Sequence, residues 1–355
     1  MIRPWIQYDD GIEVEQPNEA AQIAEIVASM ERVSGKVFDQ HRHALRSAHA
    51  KSHGILIGVL TVRPDLPDEL AQGIFKAGKS YEVVARLSSS PGNMHADGVR
   101  TMKGFALKVM GVEGAGTQDF LMANLPILPF GTVVAYLAFQ RDSEERADRK
   151  EQPALVVPEI ASAAAAVLDA VGLPNRTLEA LGATSDHILG ETFHTMAAVR
   201  FGEYVAKLSV APESENVKEL TGQAVDVGEG DSVYRDLVVE FFQKQGAAYT
   251  LRVQMCLDLE TMPVEDASVE WSSEESPFLT LGSIWFPAQE AYSPGRRVYG
   301  DDVLSFNPWR GVTAHRPLGS IMRSRKAAYE ASTRFRHEMN VRERVEPVSL
   351  LDVPA

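Results

Sequence analysis

Apolar side chains recur at Ile23, Ile26, Val27, Met30 and Val33, so residues 17–40 are expected to form an amphipathic helix with one face on a core. The period then shortens. Residues 54–62 (GILIGVLTV), 81–89 (YEVVARLSS), 104–112 (GFALKVMGV) and 118–128 (QDFLMANLPIL) carry the β-branched and aromatic enrichment of strands. Residues 196–212, 247–260 and 278–289 read the same way. Between the first two runs, PDLPDELAQGIFKAG (64–78) predicts a short helix entered through proline and aspartate. The alanine-rich stretch 156–173 predicts another. Residues 319–340 are rich in helix formers and contain no glycine or proline after Gly319, which predicts a C-terminal helix. Strands fill the middle, helices sit at the ends and in insertions, and no internal repeat is visible. That order predicts an α+β fold with an antiparallel sheet or barrel, not alternating βαβ units.

Composition narrows the partners more than the fold. With 45% hydrophobic and 24% charged residues the chain is expected to be globular, and its 355 residues suffice for one large domain or two ordinary ones. No run approaches the roughly 18 apolar residues of a membrane span. The N-terminus, MIRPWIQYDDGIEVEQ, lacks the basic start and apolar stretch of a signal peptide. Cys256 is the single cysteine, so no intrachain disulfide can form and a cytoplasmic location is expected. A formal net charge of −14 repels phosphate backbones and anionic lipid, which leaves small molecules as the expected partners.

Three patterns could carry chemistry. Gly73–Ser80 (GIFKAGKS) formally matches the phosphate-binding loop GxxxxGK[ST], which works only after a strand and before a helix. Here the order is reversed, and the match is discounted. His41, His43, His49 and His53 place four of nine histidines within thirteen positions. His49 and His53 have the i,i+4 spacing of helical zinc ligands. The intervening AKS lacks the glutamate of a metalloprotease, and the segment runs into a β-rich stretch where such residues separate. On the C-terminal helix, Arg325, Tyr329 and Arg336 fall at i, i+4 and i+11, on one stripe with Ser332 beside it and Ala328 flanking it. Taken alone, each pattern is read more simply as surface or packing.

Together these segments resemble the haem catalases. RSAHAKSHG (46–54) resembles the family's distal histidine motif, YEVVARLSSSPG (81–92) its Val-Arg-Phe-Ser segment, and DGVRTMKGFALKVMGVEG (97–114) the Arg-x-x-x-Gly-Phe-Ala-x-Lys segment that follows. Asn124, five residues after Asp119 and two before Pro126, is placed like the distal asparagine. Arg325-x-x-x-Tyr329 with Arg334-x-Arg336 resembles the proximal ligand signature. The order of all five is kept across nearly the whole chain. The resemblance implies an antiparallel β-barrel with flanking helices: an N-terminal arm and helix over 1–40, and a haem-binding barrel over 41–355 with the proximal helix at 319–340, effectively one domain. It implies haem b, with Tyr329 ligating the iron and Arg325 one turn away favouring the phenolate. Arg46, Arg86 and Arg336 are implied as partners of the propionates. His49 is implied as the proton shuttle, with Ser88 orienting its imidazole and Asn124 holding a peroxide.

Two departures qualify this. The sequence ends 26 residues after Tyr329, where full-size catalases continue, so it looks like the small catalase-related branch, without a bound NADPH and with a homodimer as the simplest assembly. Catalases also place two valines before the distal histidine, whereas Ser47 and Ala48 stand here. A roomier pocket would favour peroxidase turnover of hydrogen peroxide or organic hydroperoxides with an organic electron donor, alongside some catalase activity. The alternatives are a fatty-acid hydroperoxide isomerase or lyase of the allene oxide synthase type, a non-catalytic haem-binding protein, and a non-haem metal protein built on the histidine cluster.

Overall fold

The structure is a computed structural model, and it describes residues 4–90, 92–99, 101–148, 185–228 and 230–355. Strands β1 (Lys51–Val62), β2 (Ser80–Ser89), β3 (Lys103–Val112) and β4 (Gly116–Ala123) form an antiparallel meander. β7 (Tyr204–Pro212), β8 (Ala247–Met255) and β9 (Leu279–Phe286) form a second, which joins the first through β1 and β9. The two-residue strand β5 (Phe193–His194) pairs with β4 on one side and β7 on the other. That pairing closes an eight-stranded antiparallel barrel, and the short β6 (Val199–Phe201) hangs on β7 outside the circuit.

The side-chain period of two sorts the residues. Leu56 and Leu60 of β1, Val83, Ala85 and Leu87 of β2, and Phe105, Leu107 and Val109 of β3 fill the barrel with Leu208, Val210, Leu251 and Phe286. The alternate residues Ile55, Val84, Arg86, Ser88 and Ala106 therefore face outward, and it is this face that carries the site. Helix α1 (Glu19–His41) packs against α2 (Val133–Asp148) and α4 (Ser320–Met339), while α3 (Val233–Lys244) lies on β1. No described helix is long and apolar enough to cross a membrane.

Most expected elements are present, with informative exceptions. Residues 64–78 form a series of turns, not a helix. Gly73 (φ +55°) and Gly78 (φ +70°) break it, and the His315 ring occupies the space where a Cβ on Gly73 would go. The phosphate-loop look-alike leads directly into β2, so no helix N-terminus follows it. The 118–128 strand ends at Ala123, and the 196–212 run splits into β6 and β7 at Gly202 (φ +63°). Helices α2 and α3 were not anticipated, although Tyr234, Val238 and Phe242 bury one face of α3 at i,i+4 spacing. The expected helix at 156–173 lies outside the described residues.

One ion cluster anchors the start of α4. Arg323 donates to Glu19 at 2.5 and 2.8 Å, to Glu13 at 2.9 Å and to Glu265 at 2.9 and 3.0 Å. Arg316 also pairs with Glu13. The Arg323 guanidinium holds the Glu19 carboxyl below its usual pKa against the opposing effect of burial. The clasp joins the N-terminal arm, α1, the 265 loop and α4. Replacing Arg323 by methionine leaves Glu19 and Glu265 without the cation that holds them. The expected cost is roughly 2–4 kcal/mol of unfolding free energy, discounted because Glu265 is partly exposed. An unmoved urea midpoint would show that the clasp contributes no stability.

Candidate functional site

Helix α4 crosses the outer face of β2–β4, and a cavity of about 760 Å³, its open mouth included, lies between them. Arg46, His49, Arg86, Ser88, Arg325, Tyr329 and Arg336 all line it.

His49 belongs to the irregular segment between α1 and β1. Its backbone is left-handed (φ +54°), a conformation uncommon outside glycine. Arg86 braces that backbone from β2, with Nη1 donating to the His49 carbonyl at 2.9 Å and Nη2 to the Ala50 carbonyl at 3.1 Å. The ring lies flush on β3 at Gly104, where an added Cβ would stand 2.6 Å from His49 Nδ1. Only glycine admits that approach. Ser88 Oγ is 3.2 Å from Nδ1. Burial, assisted by the charges of Arg86 and Arg325, pushes the imidazole pKa down from 6.5 to about 3. A neutral base thus faces the cavity at physiological pH.

Tyr329 projects from α4, and Arg325 Nη2 donates to its hydroxyl at 3.1 Å. The guanidinium also lies 5.4 Å from the tyrosine ring centroid. The walls carrying His49 and Tyr329 are tied at one edge. Ser47 donates to Ser332 Oγ through its backbone N–H (3.2 Å) and its hydroxyl (2.9 Å), and Ser34 of α1 lies 3.0 Å from the Ser47 hydroxyl.

At the far end of α4 three guanidiniums converge. Arg86 Nη2 donates to Asp301 Oδ1 at 3.0 Å. Arg46 and Arg336 both donate to the carbonyls of Asp301 and Leu304. Burial and mutual repulsion lower the Arg46 pKa well below the usual arginine range, and that of Arg336 to about 10. The buried Nε atoms of Arg86 and Arg336 have no hydrogen-bond partner. Three cations beside only two carboxylates, Asp301 and Asp302, with two donors left over, suit a ligand bringing further carboxylates. The rest of the lining is mainly apolar, with Met30, Ala48, Leu121, Met122, Met196 and Phe306. An apolar macrocycle with two carboxylates at one edge fits this donor set, with the Tyr329 hydroxyl and the His49 imidazole both on the cavity wall.

Asn124 stands just after β4, where its Oδ1 accepts from the Lys103 backbone at 2.8 Å and its Nδ2 donates to Glu191 at 3.2 Å. Lys103 holds the same Glu191 oxygen at 2.5 Å. Arg334 is exposed and pairs with Glu31 at 2.9 Å. The four neighbouring histidines disperse: His41 meets Asn93, His43 meets Asp302 and His53 meets Ser89, while His49 alone reaches the cavity. Among the described residues no group of three His, Cys, Asp or Glu could hold a metal ion. The sequence reading missed Gly104, Asp301 and Met196. Gly104 could have been found beside Phe105 in its motif; Asp301 carried no local signal.

Comparisons with known proteins bear on the family and the fold. The catalase family model matches residues 18–292, a span that carries His49, Arg86 and Ser88 and stops before α4. The chain belongs to the catalase family. Its fold is similar to a fungal catalase (TM-score 0.60, 16% identity, covering 87% of this chain and 64% of that one) and to a bacterial catalase (0.57, 14%, 94% and 65%). It is similar also to catalase A from Saccharomyces cerevisiae (0.61, 17%, 96% and 70%). The chain therefore spans about two thirds of the length of these relatives, 64% to 70%. No curated protein sequence matches it.

The depressed pKa of His49 has a consequence for stability. An unfolded chain protonates this histidine near pH 6.5, the folded chain only near 3. Between those values the unfolded state binds more protons, so stability is lost as pH falls through that window. In His49→Gln the pH slope of unfolding free energy should flatten by about 1 kcal/mol per unit between roughly pH 4 and 6. Denaturant titrations of the cofactor-free chain at fixed pH values check this, and an unchanged slope would place His49 in a wetter environment.

Proposed function

We propose that the chain is a haem-dependent peroxidase with some catalase activity, of the small catalase-related branch, reducing hydrogen peroxide or organic hydroperoxides. The observation that carries this reading is the single cavity lined by His49, Tyr329 and the arginine cluster. Tyr329 would ligate the iron as phenolate, with Arg325 stabilising the negative oxygen. Arg86 and Arg336 would turn their spare Nε donors to the propionates, and Arg46 would add its charge. When bound, the haem would supply a redox centre that gives two electrons to a peroxide and recovers two from an organic donor.

The chain's own residues move the proton. His49, neutral before reaction, accepts the proton of the near peroxide oxygen and delivers it to the leaving oxygen. Ser88 holds the far side of the ring, and the close seat on Gly104 keeps it from rotating. Ser47 Oγ is committed to Ser332, so the methyl of Ala48 is the small group beside the imidazole. That leaves room for organic donors where two valines would crowd. The apolar lining by Met30, Leu121 and Met122 also favours, as the second reading, isomerisation of a fatty-acid hydroperoxide.

Haem reconstitution of three proteins tests the assignment. Tyr329→Phe should fail to retain haem through gel filtration. His49→Gln should keep the wild-type ligand spectrum and lose roughly 10²–10⁴-fold in turnover of hydrogen peroxide. Retention by Tyr329→Phe with an unaltered spectrum, or full turnover by His49→Gln, would remove the assignment. Ala48→Val should shift the balance from peroxidase toward oxygen evolution; an unchanged ratio of the two rates contradicts the role of pocket size. Product analysis with a fatty-acid hydroperoxide separates the readings, since an alcohol reports reduction and an allene oxide or its hydrolysis products report isomerisation.

A further inference from the structure

Four non-glycine residues among those described have a left-handed backbone. Arg42 closes α1 and Val341 follows α4, positions where such a φ is ordinary. The other two, His49 and Met196, both line the cavity. His49 has a chemical reason to be held there. Met196 (φ +62°) carries no proton-transferring group that would explain it.

Met196 sits at the centre of a three-residue turn closed by Ala197 N–H donating to the Thr195 carbonyl at 2.7 Å. A γ-turn with positive φ is strained for any residue with a Cβ. The surroundings fix it. Thr195 is buried, pairs through its backbone N–H with the Leu208 carbonyl (2.9 Å), and accepts the Leu208 N–H on its hydroxyl (3.1 Å). The same hydroxyl lies 3.2 Å from the Ala197 carbonyl. Glycine would take this φ without strain, so the turn alone does not require methionine. What the strained position delivers is the side chain.

Its place in the cavity gives that side chain a task. Met196 packs with Ile321 and Met322 in the first turns of α4, whereas Arg336 stands near the last turn. Fourteen residues of helix separate Met322 from Arg336, or roughly 21 Å at 1.5 Å per residue. Met196 and the arginine cluster therefore bound opposite ends of the cavity.

We infer that Met196 is a specificity-determining residue that sets the length of the cavity and so selects which tetrapyrrole it takes. This rests on the haem reading. A macrocycle with its carboxylates on the arginines presents its opposite, apolar edge to Met196, and a long substituent on that edge would collide with the thioether chain.

The test compares wild type, Met196→Gly, Met196→Ala and Met196→Leu, each titrated spectrophotometrically with iron protoporphyrin IX and with haem a, whose farnesyl-bearing chain extends one edge. Wild type and Met196→Leu should prefer the smaller porphyrin. In Met196→Gly and Met196→Ala the preference should weaken by roughly tenfold or more, as steric relief in an apolar pocket allows. Met196→Ala serves the comparison if the glycine variant does not fold. An affinity ratio equal in all four proteins overturns the inference while leaving the haem reading intact. Failure of wild type to bind either porphyrin overturns both.

Discussion

Three guanidiniums converging beside the carboxylates of Asp301 and Asp302 set the terms for everything else at this site. Arg46 comes from the loop before β1, Arg86 from the barrel wall and Arg336 from α4, and all three meet the 300–304 segment. Their convergence ties together the four pieces of chain that must agree for His49 and Tyr329 to share a cavity. It is also electrostatically incomplete. The Asp301 carboxylate pairs with Arg86 at 3.0 Å and Arg46 at 3.7 Å, its other oxygen accepts from Ser52, and Arg336 reaches Asp301 only at its carbonyl. Buried cations in excess of buried anions are costly unless a ligand supplies the missing charge. The cluster is at once a structural joint and a demand for an anionic partner.

Around that joint, the backbone takes forms that ordinary strands and helices avoid. His49 is left-handed and rests on the bare backbone at Gly104, and Met196 is left-handed at the opposite end of α4's span. Strain of this kind persists where the surroundings over-determine it and clusters at functional sites. Arg86 illustrates the economy of the arrangement: the same guanidinium that reaches Asp301 also holds the His49 carbonyl. Its charge further helps keep the imidazole neutral. Positioning and protonation state are coupled through one side chain.

The barrel was legible in the sequence because alternation of two on β1–β3 sorts inside from outside without reference to anything distant. The helical stripe of Arg325, Tyr329 and Arg336 was equally legible, since spacing on a helix fixes which side chains share a face. The contacts of Asn124 were not legible in this way. Its position along the motif matches the family, yet at the end of β4 its amide is held by the Lys103 backbone and by Glu191, a residue remote in sequence. Asp301 was invisible for the same reason, because its importance arises only from what the fold brings to it. The turns at 64–78 were misread as helix because proline and aspartate signal a helix start and a turn equally well. Only the packing of His315 against Gly73 decides between them.

On the proposed reading, the oxygen of Tyr329 would be the iron's protein ligand and His49 would stay unligated. Resonance Raman spectroscopy of the haem-reconstituted protein, excited in the phenolate-to-iron charge-transfer band, measures that bond directly. Tyrosinate ligation would give ferric high-spin haem with phenolate ring modes and an iron–oxygen stretch that shifts when the tyrosines are labelled with oxygen-18. Low-spin haem with imidazole ligation and no isotope shift would contradict it.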